Sequence, residues 1–381
     1  MLQLRPISGL LLGRLAIRKA VPEDAIACDR IARQHKTALG WVMLQTIQRA
    51  IEDGTLHVAT IDGVIRAFAL YSVPSRGTNK GWNVVHTLAT ERGWQGMNIG
   101  RNLLYSVPTP IRLKCPSDLP ANKFYSQAGF QFAGLDHAKS GRVLNVWELR
   151  VLCIHVQGNN RKIPHVAYHS GMAYGSRHDD QKRDYCTMID IYWEDYNWQD
   201  YVNQILNYKP TMAMVADYER PEQKSVMLAQ VEALEKAGVL TVMVCPKFHG
   251  AIKDIPPTCR IAVSVPSSYA GFLPNPDELR GRTVHLLGGS CIKQRKLITE
   301  YCGYGVKVLS VDGNNHQKDA LYGRIFSESK IQKSTTSSKN NWVLNAIISG
   351  RNIVKLINNA DAHLQLSFLD STGEMQCALE S

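Results

Sequence analysis

Three apolar runs in the second half of this chain stop at an aspartate, and a fourth stops at a pair of glycines. They are Thr187-Met-Ile-Asp190, Ala213-Met-Val-Ala-Asp217, Ser310-Val-Asp312 with the apolar residues before it, and Val284-His-Leu-Leu-Gly288-Gly289. Short runs with so few polar positions read as strands buried on both faces, which is the mark of a parallel sheet. In parallel sheets and barrels, ligands and reactive side chains gather at the carboxyl ends of the strands. Carboxylates repeated at that edge point to an enzyme rather than to a purely structural domain.

The rest of the second half supports this architecture. Candidate strands cover 166–173, 187–192, 211–216, 240–246, 261–266, 283–287 and 306–311, with helical patterns between them at 198–206, 225–237 and 293–301. A closing helix is expected over 342–357. Strands alternating with helices imply a TIM-like (β/α) barrel, with a doubly wound open sheet as the alternative.

The first half reads differently. A strand at 15–19 precedes helices at 22–36 and 43–52; a hairpin of 56–60 and 64–71 turns at Asp62-Gly63, a strong hairpin signal. Strands at 82–88 and 111–114, helices at 101–105 and 122–129, and strands at 130–135 and 143–149 complete a mixed α+β unit. The expected organisation is a domain over 1–152, a linker over 153–164 containing Gly158-Asn159-Asn160-Arg161, and a barrel domain over 165–381.

With 381 residues and 44% hydrophobic content, the chain can bury two cores, and no apolar run is long enough to span a membrane. Residues 1–12 lack the apolar stretch and small-residue cleavage site of a signal peptide. The nine cysteines form no C-x-x-C pair, and no H-E-x-x-H is present, so reduced thiols, a cytoplasmic setting and no metal site are expected. The net charge of +11 favours a polyanionic partner. Lys293, Arg295 and Lys296 follow the glycine-ended strand, and Lys330, Lys333 and Lys339 punctuate a Ser/Thr-rich stretch. Basic groups near a site mouth suit phosphate contacts.

Two local motifs give the first half a family likeness. Gln95-Gly96-Met-Asn98-Ile-Gly100, followed by Arg101, opens a predicted helix; Asn122-Lys-Phe124-Tyr125 leads to Gly129-Phe130. With the element order, these resemble the GCN5-related N-acetyltransferase (GNAT) family over about residues 15–150. The resemblance implies acetyl-CoA as a cofactor, its pyrophosphate cradled by the loop at the helix N-terminus. It implies cofactor contacts from Leu88, Gln95, Gly96, Asn98, Gly100, Arg101 and Asn122, and Tyr125 as the acid for the departing thiolate. Asn98 stands where the family has the loop's first glycine; asparagine accepts left-handed backbone better than most residues. Glu91 and then His86 are the nearest candidates for a general base.

The second half resembles the tRNA-guanine transglycosylase superfamily over about residues 165–360, and most closely its phage and bacterial DNA-modifying branch, which inserts 7-deazaguanine bases into DNA. The resemblance rests on the strand-end residues. It implies Asp312 as nucleophile, Asp190 as general acid/base, and Asp217, Gly288 and Gly289 as base-binding groups. Neither the C-terminal zinc motif nor the Asp-Ser-Gly-Gly-Phe-Gln loop of the tRNA-acting enzymes is present; Asp190-Ile-Tyr-Trp-Glu-Asp stands in the loop's place. The implied partners are DNA and a free 7-deazaguanine base, with no membrane, and a second copy of the chain, since the related enzymes are often dimers. Lys293, Arg295, Lys296, His316 and Lys318 are the expected nucleic-acid contacts. Tyr168, Tyr192, Trp193 and Tyr269 are available to stack on a flipped base.

Carboxylates suit this chemistry. Displacing a purine from C1′ passes through an oxocarbenium-like state, so one carboxylate attacks C1′ while a second carboxyl moves a proton on and off the base. A third, ionised, accepts from the N–H donors of a guanine edge. Two other readings remain: a GNAT acyltransferase whose barrel only recognises nucleic acid, and a non-catalytic nucleic-acid-binding protein.

Overall fold

The computed structural model describes residues 15–156, 160–182, 184–192, 196–267, 272–327, 330–334 and 341–359. In the first half, β1 (Leu15–Lys19) is followed by helices α1 (Ala25–Gln34), α2 (Lys36–Leu39) and α3 (Leu44–Glu52). Then come β2 (Leu56–Ile61), β3 (Val64–Ser72), β4 (Asn83–Thr90), α4 (Ile99–Ser106), β5 (Ile111–Pro116), α5 (Ala121–Gln127), β6 (Gln131–His137) and β7 (Val143–Leu149). The strands form one sheet in the order β1-β2-β3-β4-β5-β7-β6, antiparallel except for the β4–β5 pair. This is the GNAT-like mixed sheet. The hairpin forms as read, because Asp62 (φ 52°) and Gly63 (φ 79°) both adopt the left-handed backbone that a two-residue turn requires. Helices α1 and α3 bury Cys28, Ile31, Ile47 and Ile51 against Leu56, Val58, Phe68 and Leu70 on one face of the sheet. On the other face, α4 buries Ile99, Leu103 and Leu104.

The barrel begins earlier than expected. Strand β8 (Leu152–His155) follows β7 after two residues, then α6 (Ile163–Ser170), β9 (Ala173–Arg177), β10 (Met188–Asp190), α7 (Trp198–Tyr208), β11 (Met212–Met214) and α8 (Lys224–Lys236). The chain continues through β12 (Thr241–Val244), β13 (Arg260–Ser264), β14 (Thr283–Leu287), α9 (Cys291–Gly303), β15 (Lys307–Asp312) and α10 (Asn315–Leu321). A two-stranded ribbon of β16 (Arg324–Ser327) and β17 (Lys330–Lys333) and the long helix α11 (Trp342–Asn358) end the described chain. Strands β8 to β15 close into an eight-stranded, all-parallel barrel, β8 pairing with both β9 and β15. The barrel, not the open sheet, is the architecture. Among the described residues no helix is long and apolar enough to cross a membrane.

Two expectations are corrected here. Residues 152–155, assigned across the domain end and linker, are the strand that closes the barrel; the run Val151-Leu-Cys-Ile-His-Val156 is apolar enough to be buried on both faces. The strand expected over 166–173 is mostly helix α6. Pro164 sits in its first turn and Gly171 (φ 77°) ends it in a left-handed cap, a placement that favours helix over strand.

The two halves share one continuous apolar core, from Leu103 and Leu104 through Leu152 and Ile154 to Met188, Met212, Val284 and Val311. Polar contacts fix the junction. Arg101 donates to the Tyr168 carbonyl at 2.6 Å, with its guanidinium 5.5 Å from that ring centroid, and Thr109 Oγ1 donates to the Leu309 carbonyl at 2.5 Å. Asn358 Oδ1 accepts from the backbone N–H groups of Arg150 and Val151, each at 2.9 Å, which ties α11 to the turn before β8. Gly129 (φ 87°) and Gly171 bring their backbones into direct contact; a Cβ on Gly171 would lie 2.8 Å from the Gly129 Cα.

Gly129→Ala adds a methyl group against the Gly171 carbonyl at a left-handed position. It should destabilise the whole protein by about 2–4 kcal/mol in urea unfolding. Because the core is continuous, fluorescence and circular dichroism should report one coincident transition; separate transitions for the two halves would contradict this packing.

Candidate functional site

The carboxyl ends of the barrel strands bring the expected aspartates to one mouth. Asp190 is the last residue of β10 and Asp312 the last of β15; Asp217 follows β11 by three residues. Asp312 is buried, 7% exposed, and its Oδ1 accepts the Gly288 N–H at 2.5 Å. Asp190 is half-buried and accepts the Ile191 N–H at 2.9 Å. Burial, then the charge of Asp312, raises the Asp190 carboxyl from its ordinary 3.8 to about 8. Burial raises Asp312 to about 6, against the opposing pull of the Gly288 N–H. Burial thus raises both carboxyl groups, Asp190 the further, so Asp190 keeps a proton more readily than Asp312.

Asp217 forms an ion pair with Lys247 at 3.0 Å, and Lys247 also donates to Ser264 Oγ at 3.0 Å. The line Asp217–Lys247–Ser264 follows the rim over β11, β12 and β13. The reading of the sequence missed Lys247; its position three residues beyond the end of a strand is the signal that could have found it. Arg177, at the end of β9, lies 4.4 Å from the centroid of the Tyr192 ring and was likewise missed.

The two glycines are tied into the site by their backbones. Both are left-handed (Gly288 φ 60°, Gly289 φ 74°), and a Cβ on Gly289 would overlap the Val265 side chain. The Gly288 N–H is taken by Asp312, the Gly288 carbonyl accepts from Gln294 at 2.8 Å, and the Gly289 carbonyl accepts from Asn315 at 2.9 Å. These bonds hold the site together, and Gly289 also lines the cavity beside Asp312.

The basic residues divide. Lys293 reaches the Pro266 carbonyl at 2.8 Å and Arg295 the Leu356 carbonyl of α11 at 3.2 Å, so both are tied to the protein, while Lys296 and Lys318 are exposed. His316 is no surface contact: it is 3% exposed, with Nε2 2.8 Å from His155 Nδ1. Tyr168 is buried at the domain junction, bonded to Asn102, and so lines no base pocket. Trp193, Tyr269 and Lys339 lie outside the described residues. A cavity of about 410 Å³ opens beside Asp312, walled by Met172, Ile292, Phe326 and Ile353.

In the first half, the loop before α4 is open to solvent at Gln95 and Gly96. Gly96 (φ 80°) and Asn98 (φ 59°) are left-handed, so Asn98 adopts the conformation its position asks of a glycine, and Gly100 packs closely on Thr90. Backbone amides at this helix start fit a pyrophosphate. Three other assignments are corrected or narrowed. Arg101 is consumed at the junction. Asn122 donates to the Pro116, Ser117 and Leu119 carbonyls and accepts from Asn145 and Trp147, so it pins the strand end instead of facing the loop. Leu88 packs its side chain against the core. Tyr125 stands among Phe124, Phe130 and Trp147, and burial pushes its hydroxyl well above the usual range. Of the base candidates, Glu91 is paired with Arg66 and Arg30, and His86 bonds Ser72 Oγ at 2.7 Å.

Residues 167–354 match a family model described as a family of unknown function (DUF6610). Among curated proteins none matches the chain. Similar solved structures include Ard1 from Thermoplasma volcanium, 20% identical over 35% of this chain and 96% of that one, TM-score 0.31. A ribosomal-protein-alanine N-acetyltransferase from Brucella melitensis is 19% identical over 35% and 97%, TM-score 0.30. Naa50 of Arabidopsis thaliana, in complex with the bisubstrate analogue CoA-Ac-MVNAL, is 16% identical over 35% and 97%, TM-score 0.30.

The raised Asp190 carboxyl carries a consequence for stability. A carboxyl whose pKa is higher in the folded state contributes stability in full below its ordinary value of 3.8, and that contribution is lost as pH rises through about 8. Wild-type protein should therefore lose about 2–3 kcal/mol more between pH 5 and pH 8 than Asp190→Asn, a figure reduced from the full shift for partial solvent access. Urea midpoints at the two pH values measure it; parallel curves would show that Asp190 ionises normally.

Proposed function

We propose that the barrel is a guanine transglycosylase acting on DNA, exchanging guanine for a 7-deazaguanine base. The observation that carries this reading is the pair of strand-end carboxyl groups at one mouth, Asp312 buried at the end of β15 with its Oδ1 on the Gly288 N–H and Asp190 at the end of β10, both pushed up by burial and Asp190 the further. An ionised Asp312 attacks C1′ of the sugar; the C1′–N9 bond breaks, its electrons pass to the purine, and the Asp190 proton goes to the departing base. The incoming 7-deazaguanine gives its N9 proton to Asp190, N9 bonds C1′, and the aspartyl ester breaks. Asp217 and Lys247 together match a guanine edge: the carboxylate accepts from N1–H and N2–H, and the ammonium donates to O6. Exposed Lys296 and Lys318 and the +11 charge supply phosphate contacts.

The test is release of radiolabelled guanine from DNA or tRNA in the presence of a 7-deazaguanine base. Release from DNA, reduced at least about a thousandfold in Asp312→Ala, is the expected result. Release from tRNA alone would move the substrate, and none from either would end the reading.

A second reading applies to the first half, where the open loop with left-handed Gly96 and Asn98 favours an acyl-CoA site. The backbone of residues 96–100 and the Gln95 side chain would hold the pyrophosphate, and acetyl-CoA would supply an acyl group for transfer. Calorimetry with acetyl-CoA should show one site per chain, with turnover lost in Tyr125→Phe; no heat of binding would reduce this half to a scaffold.

A further inference from the structure

Beneath the mouth, the barrel interior holds polar side chains from three consecutive strands that the exchange chemistry leaves without a role. Arg260 of β13, His285 of β14 and Ser310 of β15 are all buried, the last two at 0% exposure. Arg260 Nη1 donates to Ser310 Oγ at 2.8 Å, and Ser310 Oγ lies 2.7 Å from His285 Nδ1. On the other side of the ring, His285 Nε2 has no hydrogen-bond partner among the described residues and sits 3.9 Å from Asp312 Oδ1. Strand register builds this line. A bulge lets His285 pair with Ser310, and Asp312, two residues on, shares the inward face.

Hydrogen-bond chemistry gives the line a direction. A guanidinium only donates, so Ser310 Oγ accepts from Arg260. The Ser310 hydroxyl proton is then free for His285 Nδ1, and a neutral ring that accepts there carries its own proton on Nε2. Burial, with the Arg260 cation adding to it, keeps the ring neutral by lowering its pKa to about 3. The opposite tautomer would strand the serine proton and turn a nitrogen lone pair toward a carboxylate.

We propose that His285 is a positioning residue for Asp312, its Nε2–H aimed at the carboxylate by Ser310 and Arg260 so that the ionised form is favoured. The catalytic consequence rests on the transglycosylase reading; the tautomer and the ionisation of Asp312 do not. At 3.9 Å the contact is longer than a hydrogen bond, and a carboxylate shift of about 1 Å toward the ring closes it. The other groups around Asp312 do not replace this donor. Asp190 of β10 is itself raised by the charge of Asp312, the Asp217–Lys247 pair is internally matched, and Gly288 binds the same oxygen. Gln294 of α9 holds the Asp312 main-chain carbonyl, and His316 of α10 is turned to His155 of β8. Lys318 and Asp319 of α10 line the cavity beside the site with opposite charges.

Nuclear magnetic resonance of the full chain, with 15N-labelled histidine and 13C-labelled aspartate, tests this directly. Signals of His285 and Asp312 are assigned by their loss in His285→Gln and Asp312→Asn, with folding checked by thermal melting. The expected result is an Nε2–H tautomer for His285 from pH 5 to 9, replaced by a mixture in Arg260→Met. Asp312 should titrate about one pH unit higher in His285→Phe, a tenfold change, and return most of the way in His285→Gln, whose amide can donate. An Nδ1–H tautomer in the wild type, or an Asp312 titration unmoved by both His285→Phe and Arg260→Met, would overturn the proposal. The expected spectra without base exchange would leave His285 in this role and sink the transglycosylase reading alone.

Discussion

Closure of the barrel by β8 is the constraint on which the site depends. β15 carries Asp312 and is held between β14 and β8, with Asp312 in register with Ile154. The closing strand follows the last strand of the GNAT-like sheet after only Arg150 and Val151, and Asn358 of α11 bonds both of their amides. The barrel therefore cannot be completed without chain that the sequence places at the end of the first domain and in the linker. Thr109 reaches from that half to the Leu309 carbonyl, next to the inward-facing Ser310. The two halves are thus packed as one body, and the position of Asp312 is set partly by the first half.

Within that frame, burial does the chemical tuning. Isolated carboxyl groups are ionised at neutral pH, and placing three near one mouth is unfavourable unless their protons are shared unevenly. Asp190 is pushed furthest toward its protonated form, Asp312 keeps a backbone donor, and Asp217 is matched by Lys247. Inside the barrel a line of donors descends from Asp312 to Arg260, a buried cation with no carboxylate partner among the described residues, its pKa lowered to about 10 by burial. The mouth and the interior form one polar system threaded through an apolar barrel.

Much of this was legible in the residues. Strands at 15–19, 143–149 and 283–287 fall where periodicity and flanking turns place them, and the strand-end aspartates meet at one mouth because parallel strands expose a single carboxyl edge. What was not legible depended on contacts distant in sequence. Apolar content alone cannot separate a buried helix from a buried strand, which is why α6 read as β until Pro164 and Gly171 are weighed. Motif positions matched, but side-chain partners did not follow from them: Arg101, Asn122 and His316 are each bonded within the protein by residues no local pattern reveals. His285 and Arg260 escaped notice because a single polar residue on an apolar strand has no periodic signature, and Lys247 because it stands past a strand end in a loop whose partner, Asp217, is distant in sequence.

The central claim is that Asp312 bonds to the sugar while one base leaves and the other enters. Protein incubated with guanine-containing DNA, then denatured in acid and digested, can be searched by mass spectrometry for an esterified aspartate. The account predicts a sugar adduct on the peptide carrying Asp312, retained in Asp217→Asn and absent in Asp312→Asn. An adduct on Asp190, or rapid guanine release with no adduct at any time point, would contradict it.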